Sequence, residues 1–432
     1  MIKSSAHRLK VLLTAHEISP VVGSECASGW NIITRLGSYH DITVLYAESN
    51  QFGTNNYKNQ INDYILKNGV IPGIEFYPIP QPLITKKIAL FNRKISDQNT
   101  SVGLSFLYFL GVKYWEKQVF RVVKKLLIER DYDLVHHFNH ISFREPGYLW
   151  KTDLPFIWGP TSGLSRVPFQ YMKGMPFNEI FYNTLRNFLN FAQFNFNRRI
   201  RIAIKKSRLI YFVTSDDGRF IQRRNIFSEN LLDMGAYEVN NNAIKHHDSS
   251  IITILWVGRL YHLKALDILL NAVGSSEILR KNLEIKIIGD GPQKEYYQRL
   301  AMDLKLSNIN WIGLIPKSEV FREMSNSDLL VHTSIKEAAS AVILESISAG
   351  LPVICHDSFG MKFAINDTCG IKIPFISRKK SIEGFRLALE KVCSNPNLVD
   401  ELNKGAIRRA KELSWDSMAK KIASDYFSVR NF

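Results

Sequence analysis

Two cations, Arg259 and Lys264, stand five residues apart just beyond the apolar run 252–257. Gly258 lets the chain turn sharply where that run ends, so both cations face the same space. They suit a diphosphate: at about 4 Å and an effective dielectric near 20, one cation–anion contact is worth about 4 kcal/mol before desolvation. Further along, Glu337 is followed by Ala338, Ala339, Ser340 and Ala341, and Glu345 comes eight positions after Glu337. The spacing predicts a helix opening at 338–341, whose free N–H groups and dipole would cradle an anion. The flanking carboxylates suit sugar hydroxyls. Between these groups lie Gly289-Asp-Gly-Pro292 and then Gly313 with Leu314 and Ile315. The first lacks the third glycine of the dinucleotide fingerprint. The second offers exposed backbone against which a flat base can rest. Taken singly, each is an ordinary turn or helix cap; together and in this order they describe a nucleotide site.

Strands must hold these residues in place. Short apolar runs predict early strands at 11–15, 42–46, 134–138, 156–158 and 209–213, and a second series at 252–257, 285–288, 310–312, 329–331 and 353–355. Segments of helical period, such as 266–273, 293–304 and 342–348, lie between the later runs. Strand–helix alternation of this kind predicts parallel, doubly wound α/β sheets. Residues 236–250 are polar and aperiodic and are read as a linker between a first domain, 1–235, and a second, 251–412. Ligands of such sheets sit beyond the carboxyl ends of the strands, which places the site in the cleft between two Rossmann-like domains.

The 432 residues suit about two to three domains at roughly 150 residues each. A chain with 45% hydrophobic and 22% charged residues is not disordered wholesale. The longest charge-free stretch, 98–112, is shorter than the roughly 20 apolar residues of a spanning helix. The run 11–15 is too brief for the core of a signal peptide. Cys26, Cys355, Cys369 and Cys393 match no metal spacing or disulfide framework. Asp131-Tyr-Asp133 precedes a strand, at the wrong end of the sheet for a metal-held diphosphate. No metal and no resident cofactor is expected. The formal net charge of +16 favours an anionic partner: nucleic acid, a membrane face or a phosphorylated ligand. Residues 186–224 hold ten Lys and Arg against two Asp. Just before the densest basic run, Phe177, Phe181, Tyr182, Phe188, Phe191, Phe194 and Phe196 lead into Arg198-Arg-Ile-Arg201. The segment 112–127 is also amphipathic, with Val112, Trp115, Val119, Val122, Val123 and Leu126 opposite Lys113, Lys117, Arg121 and Lys124. Each segment suits a helix on an anionic lipid surface, or an ordinary helix packed on its sheet.

As a set, Gly258-Arg259 with Lys264, Gly289-Asp-Gly-Pro292, Gly313, Glu337 with Glu345, and Ala349-Gly-Leu-Pro-Val-Ile354 resemble the retaining family 4 glycosyltransferases of the GT-B fold. The likeness covers about 250–430. It implies that Arg259 and Lys264 bind a donor diphosphate, that Glu345 holds the ribose, and that Glu337 contacts the donor sugar near its reacting carbon. Leu314 and Ile315 stand where such proteins meet the base. Ala338-Ala-Ser-Ala341 replaces the glycine-containing run common there. The first half is similar to a bacterial surface-polysaccharide subgroup. This rests on Pro20-Val-Val-Gly-Ser-Glu25, Val135-His-His-Phe-Asn-His140, Phe143-Arg-Glu-Pro146 and Trp158-Gly-Pro-Thr-Ser-Gly163. That similarity implies Gly23 near the phosphates, His136 and His140 toward the reacting sugar, and Glu25, Arg144 and Gly163 on the acceptor side. Residues 413–432 resemble the terminal helix that crosses back onto the first domain in this fold. The expected activity is metal-independent transfer, with retention, from a nucleotide-diphosphate sugar to a polysaccharide or lipid-linked oligosaccharide. The expected place is the cytoplasm, including the inner face of the plasma membrane. A nucleotide-sugar epimerase of the same fold is the nearer rival, and a basic nucleic-acid-binding protein the more distant one; no nucleic-acid module is present to favour it.

Overall fold

The central strands are buried on both faces, as parallel strands covered by helices must be. The computed structural model describes residues 8–23, 25–95, 104–173, 175–238, 251–395 and 397–431. The first sheet contains β1 (Lys10–Ala15), β2 (Asp41–Ala47), β3 (Ile74–Ile79), β4 (Leu134–Asn139), β5 (Phe156–Thr161), β6 (Ser207–Phe212) and β7 (Ser228–Asn230). Its strands run parallel in the order 3-2-1-4-5-6-7. The second sheet contains β8 (Ile252–Val257), β9 (Leu283–Ile288), β10 (Ile309–Gly313), β11 (Leu329–His332), β12 (Val353–His356) and β13 (Gly370–Ile373), parallel in the order 10-9-8-11-12-13. Each sheet reverses its winding at one seam, β1/β4 in the first and β8/β11 in the second. Crevices open at such seams, beyond the strand ends. This is the GT-B architecture of two Rossmann-like domains.

The helix Trp415–Arg430 belongs spatially to the first domain. It buries Trp415, Met418, Ile422, Tyr426 and Val429 and lies along the helix Glu25–Leu36. Burying Trp415, Met418, Ile422 and Val429 there stabilises the crossing by on the order of 6–12 kcal/mol before chain entropy. Polar ties fix its register: Arg35 Nε to Asp416 at 2.8 Å, Tyr211 Oη to Asp425 at 2.6 Å, and Arg430 to Asp133 at 3.0 Å. Residues 239–250, most of the expected linker, lie outside the described residues. At its near end Ala236 N donates to Leu413 O at 2.8 Å, tying the linker's entry to the start of the terminal helix.

Two helices bear on the lipid question. The stripe expected at 112–127 belongs to the longer helix Ser105–Glu129, and Val112, Trp115, Val119, Val123 and Leu126 are buried against the sheet. Core packing therefore accounts for that stripe, and the lipid-facing reading of it is withdrawn. The helix Phe177–Phe196 behaves in the opposite way. Its buried residues are Asn183, Asn190 and Phe194, while Phe177, Phe181, Leu185, Phe188 and Phe196 are exposed. Among the described residues no helix is long and apolar enough to cross a membrane, and no cluster of three or more His, Cys, Asp or Glu is arranged to hold a metal ion.

Candidate active site

At the β8/β11 seam the second domain assembles one group of charges. Beyond β8, Gly258 N donates to Ile288 O at 3.0 Å, which brings the loop carrying Arg259 beside the end of β9. Gly289 has φ +135°, and a Cβ there would collide with the Gly258 carbonyl, so only glycine allows the two loops to pack. Arg259 is exposed and lies over the Tyr261 ring, 5.9 Å from its centroid. Lys264 ends a short turn, His262–Lys264, and Ala265 at φ +49° turns the chain into the helix Leu266–Gly274. Thr333 Oγ1 donates to Lys264 O at 2.9 Å, aligning this turn with the loop that follows β11.

That loop carries Glu337. Its Oε1 accepts a short hydrogen bond from Lys264 Nζ and lies 3.4 Å from His332 Nε2, which also meets Ser340 Oγ at 3.3 Å. Burial acts to raise the Glu337 carboxyl, yet the His332 hydrogen bond and the charge of Lys264 prevail and hold it at about 2. Burial also pushes His332 below its ordinary range. His332 and Lys264 together keep Glu337 ionised at neutral pH. The helix expected to open at Ala338 opens instead at Ala341, running Ala341–Ser348. Ser340, at φ +64°, stands before it, and Ala338 and Ala339 belong to the loop. Gly360 N donates to Ala338 O at 3.0 Å, pinning that loop from behind. Glu345 lies on the helix away from Glu337 and pairs with Lys317 Nζ at 2.7 Å; Lys317 also donates to Tyr237 Oη at 3.0 Å. Gly313, at φ +82°, accepts from Gly289 N at 2.8 Å. Leu314 beyond it is 78% exposed, and Ile315 packs partly on the core.

The first domain presents a second group at the β1/β4 seam. His140 Nδ1 lies 3.8 Å from Glu25 Oε1, and the same oxygen accepts from Ile141 N at 2.6 Å. His140 Nε2 meets Tyr108 Oη at 3.1 Å, and that hydroxyl donates to Glu17 Oε1 at 2.8 Å. Burial would raise Glu17, but contacts from His16, His140 and Tyr108 hold it at about 2. Burial and then the charge of Glu17 push Glu25 well above the usual carboxyl range. The ionised Glu17 and the raised Glu25 carboxyl both act on His140, a polar group suited to binding hydroxyls. Arg144 donates to Asn190 Oδ1, to Gln193 Oε1 at 3.1 Å and to Ser142 Oγ at 3.3 Å. Gly163 leaves room for it, since a Cβ there would lie 3.3 Å from Arg144 Nη1. Gly23 is exposed at the end of the β1–helix loop, with open space around it.

His136 does not join either group. Its Nδ1 meets Tyr426 Oη at 2.7 Å, its Nε2 meets Gly159 O at 2.7 Å, and the residue is 0% exposed. Both ring nitrogens are occupied, one by the terminal helix and the other by β5, and the expectation of His136 at the reacting sugar is corrected. Sequence reasoning missed Glu17, Tyr108, His332, Lys317, Arg186 and Asp233. Asp233 follows β7, and burial pushes its carboxyl up to about 6, eased by its own backbone N–H and that of Ala339 and reinforced by the charge of Glu337. Its charge also raises the Glu25 carboxyl. Its Oδ1 is buried without a hydrogen-bond partner. No local spacing marked any of these six; only the packing of distant segments brings them in.

Comparison with known proteins bears directly on the second domain and the charges at its β8/β11 seam. Residues 240–411 match the family Glycosyl transferases group 1. The match lies on the second domain and takes in about two fifths of the chain. Lipopolysaccharide glucosyltransferase WaaG of Escherichia coli is 33% identical over 169 residues, 38% of this chain and 43% of that protein. D-inositol 3-phosphate glycosyltransferase of Streptomyces griseus is 28% identical over 186 residues, 40% of this chain and 38% of that protein. The matched part thus spans about two fifths of these relatives. Over nearly the whole chain the fold is that of solved GT-B structures. The WaaG crystal structure superposes with TM-score 0.54 at 20% identity, covering 96% of this chain and 99% of WaaG. Anabaena HepE in complex with UDP and glucose gives 0.56 at 14% identity, covering 98% and 100%.

Proposed function

We propose that this chain is a retaining, metal-independent glycosyltransferase. It moves a sugar from a nucleotide-diphosphate donor to a surface polysaccharide or a lipid-linked oligosaccharide. The observation that carries the reading is the Lys264–Glu337–His332 group beside Arg259 at the β8/β11 seam, within the domain matched to group 1 transferases. Arg259, Lys264 and the N–H groups around Ala339–Ala341 supply positive potential for the departing diphosphate without a metal ion. Glu337 is engaged by Lys264 and His332, which suits orienting the donor sugar rather than attacking it. Retention then proceeds by attack of the acceptor hydroxyl on the face that the diphosphate leaves. Glu345 and the exposed backbone at Leu314 serve the ribose and the base. Glu17, Glu25 and His140 offer the acceptor a hydroxyl-binding wall. The UDP and glucose in HepE and the lipopolysaccharide activity of WaaG support a nucleotide-sugar donor and a lipid-linked acceptor.

The exposed rings of Phe177–Phe196, followed at once by the basic helix Arg198–Lys206, support work at an anionic membrane surface on the cytoplasmic side. The test is release of nucleotide from a panel of sugar donors, with and without lipid extracts, in the presence of EDTA. Turnover stimulated by one donor and one extract under chelation is the expected outcome. Loss of all UDP, GDP and ADP binding on adding EDTA would overturn the metal-free reading.

A further inference from the structure

The helix Phe177–Phe196 turns its polar side inward. Asn183, Arg186 and Asn190 recur at helical spacing on one face, and the two asparagines are each 2% exposed. Asn190 is a joint: its Nδ2 donates to Gly163 O at 2.9 Å, and its Oδ1 accepts from Arg144. Arg186 is half-buried, yet among the described residues it makes no ion pair and no hydrogen bond. Arg144 meets only neutral acceptors, on Ser142, Asn190 and Gln193, and packs between the Phe143 and Phe109 rings at 4.8 and 5.4 Å. Burial and then the charge of Arg186 push Arg144 down to about 10. Burial pushes Arg186 down as well. Two cations are thus held close enough to repel, partly out of water; neither forms an ion pair among the described residues, although the charge of Asp217 partly offsets that of Arg144. Such an arrangement costs stability unless an anion completes it.

Their location says which anion. Burial and the charge of Glu337 raise the Tyr261 phenol of the donor loop, and the charges of Arg259 and, last, Arg186 act against them, so the field of Arg186 extends to that loop. Arg144 packs over the Phe109 ring, which meets the His140 ring edge-on at 5.4 Å, at the hydroxyl-binding end of the same wall. There the ionised Glu17 repels an anion, leaving the Arg144 and Arg186 end as the place for one. We propose that Arg144 and Arg186 form an anion subsite on the first-domain wall that takes a phosphate group carried by the acceptor, while the donor diphosphate lies on Arg259 and Lys264. The proposal rests on the transferase reading above and narrows its acceptor to a phosphorylated one. A donor diphosphate reaching Arg186 is the other source of the same chemistry, and the experiment separates the two.

Glycerol 3-phosphate, with glycerol as the uncharged control, is titrated calorimetrically into the full chain saturated with whichever of UDP, GDP or ADP binds. The phosphate probe binds with the nucleotide in place and glycerol does not. R186Q weakens the probe by about tenfold or more and leaves nucleotide affinity within about twofold, while R186K recovers much of the loss. R144Q acts in the same direction, and circular dichroism verifies its fold because its hydrogen bonds are also lost. Absence of probe binding, or equal binding by R186Q, overturns the subsite. Weakened nucleotide binding in R186Q with the probe unaffected assigns Arg186 to the donor diphosphate and overturns it too. If none of the three nucleotides binds, the donor reading fails, and the same R186Q comparison on nucleotide-free protein still decides the subsite.

Discussion

Replacing Glu337 by Gln keeps the shape of the side chain and removes its charge from between Lys264 and His332. The carboxyl is 14% exposed and is held at about 2 against an ordinary 4.5. A depression of that size contributes on the order of 3 kcal/mol to the folded state at neutral pH. The sign follows from the direction: the contribution is complete above the ordinary carboxyl range and disappears as pH falls from about 4.5 toward 2. E337Q is therefore expected to unfold at lower urea concentration than the parent at pH 7, with the gap closing steadily below about pH 4. Function should respond differently. In the parent, Glu337 neutralises part of the Lys264 charge; in E337Q that charge is free for a diphosphate. Calorimetry should show nucleotide diphosphate bound as tightly as before, or more tightly. Transfer should fall by on the order of 30- to 1000-fold, the loss of about 2–4 kcal/mol of transition-state stabilisation. Normal transfer by E337Q, or an unchanged urea midpoint at pH 7, would refute the reasoning.

Arg259→Ala should cripple turnover by a similar factor while leaving the urea midpoint unchanged, because Arg259 is exposed and packs only over Tyr261; a near-normal rate with a verified donor counts against the diphosphate assignment. Glu345→Ala removes a pair with the 59% exposed Lys317 side chain, which costs stability only about 0–1 kcal/mol. A drop of about tenfold in binding of both free nucleotide and nucleotide sugar would then report a lost ribose contact, and unchanged affinity would show that Glu345 serves only Lys317. Phe181→Ser with Phe188→Ser should reduce flotation with anionic vesicles, and raising salt should reduce it further, since attraction fades beyond about 8 Å at physiological ionic strength. Equal binding to neutral vesicles, or tight binding to DNA instead, would speak for the nucleic-acid rival.

Much of the fold was legible because parallel strands covered on both sides must be apolar throughout, and such runs are visible as blocks. The three strands that went unread lack that property. β3 sits at an edge, contains Pro78 and exposes alternate residues; β7 is three residues long; β13 is a partly exposed edge. Arg259, Lys264 and Glu337 were legible because they follow strand ends in one domain, where sequence order is also spatial order. The opening of the helix at Ala341 was misjudged because Ser340 takes a left-handed conformation that its residue type does not announce. His136 was misjudged because its partner Tyr426 lies 290 residues away. Arg186 was hidden by the rings around it, which signalled an outer face while the inner one carried the charge.

The return of Trp415–Arg430 to the first domain also orders events in time. During synthesis the first sheet leaves the ribosome complete to β7, yet the groove beside Glu25–Leu36 and the ring of His136 remain uncovered. The helix that fills them follows the whole second domain, a delay on the order of ten to forty seconds at about 5–20 residues per second. For that interval the nascent first domain displays the apolar trough that Trp415, Ile422 and Tyr426 later occupy, a surface open to chaperones and to other chains. The second domain, contiguous from β8 to β13, carries no such debt to a later segment. A ribosome-bound chain stalled before residue 415 should therefore be protease-resistant in its second domain and sensitive around Glu25–Leu36, with resistance arriving only when the terminal helix emerges.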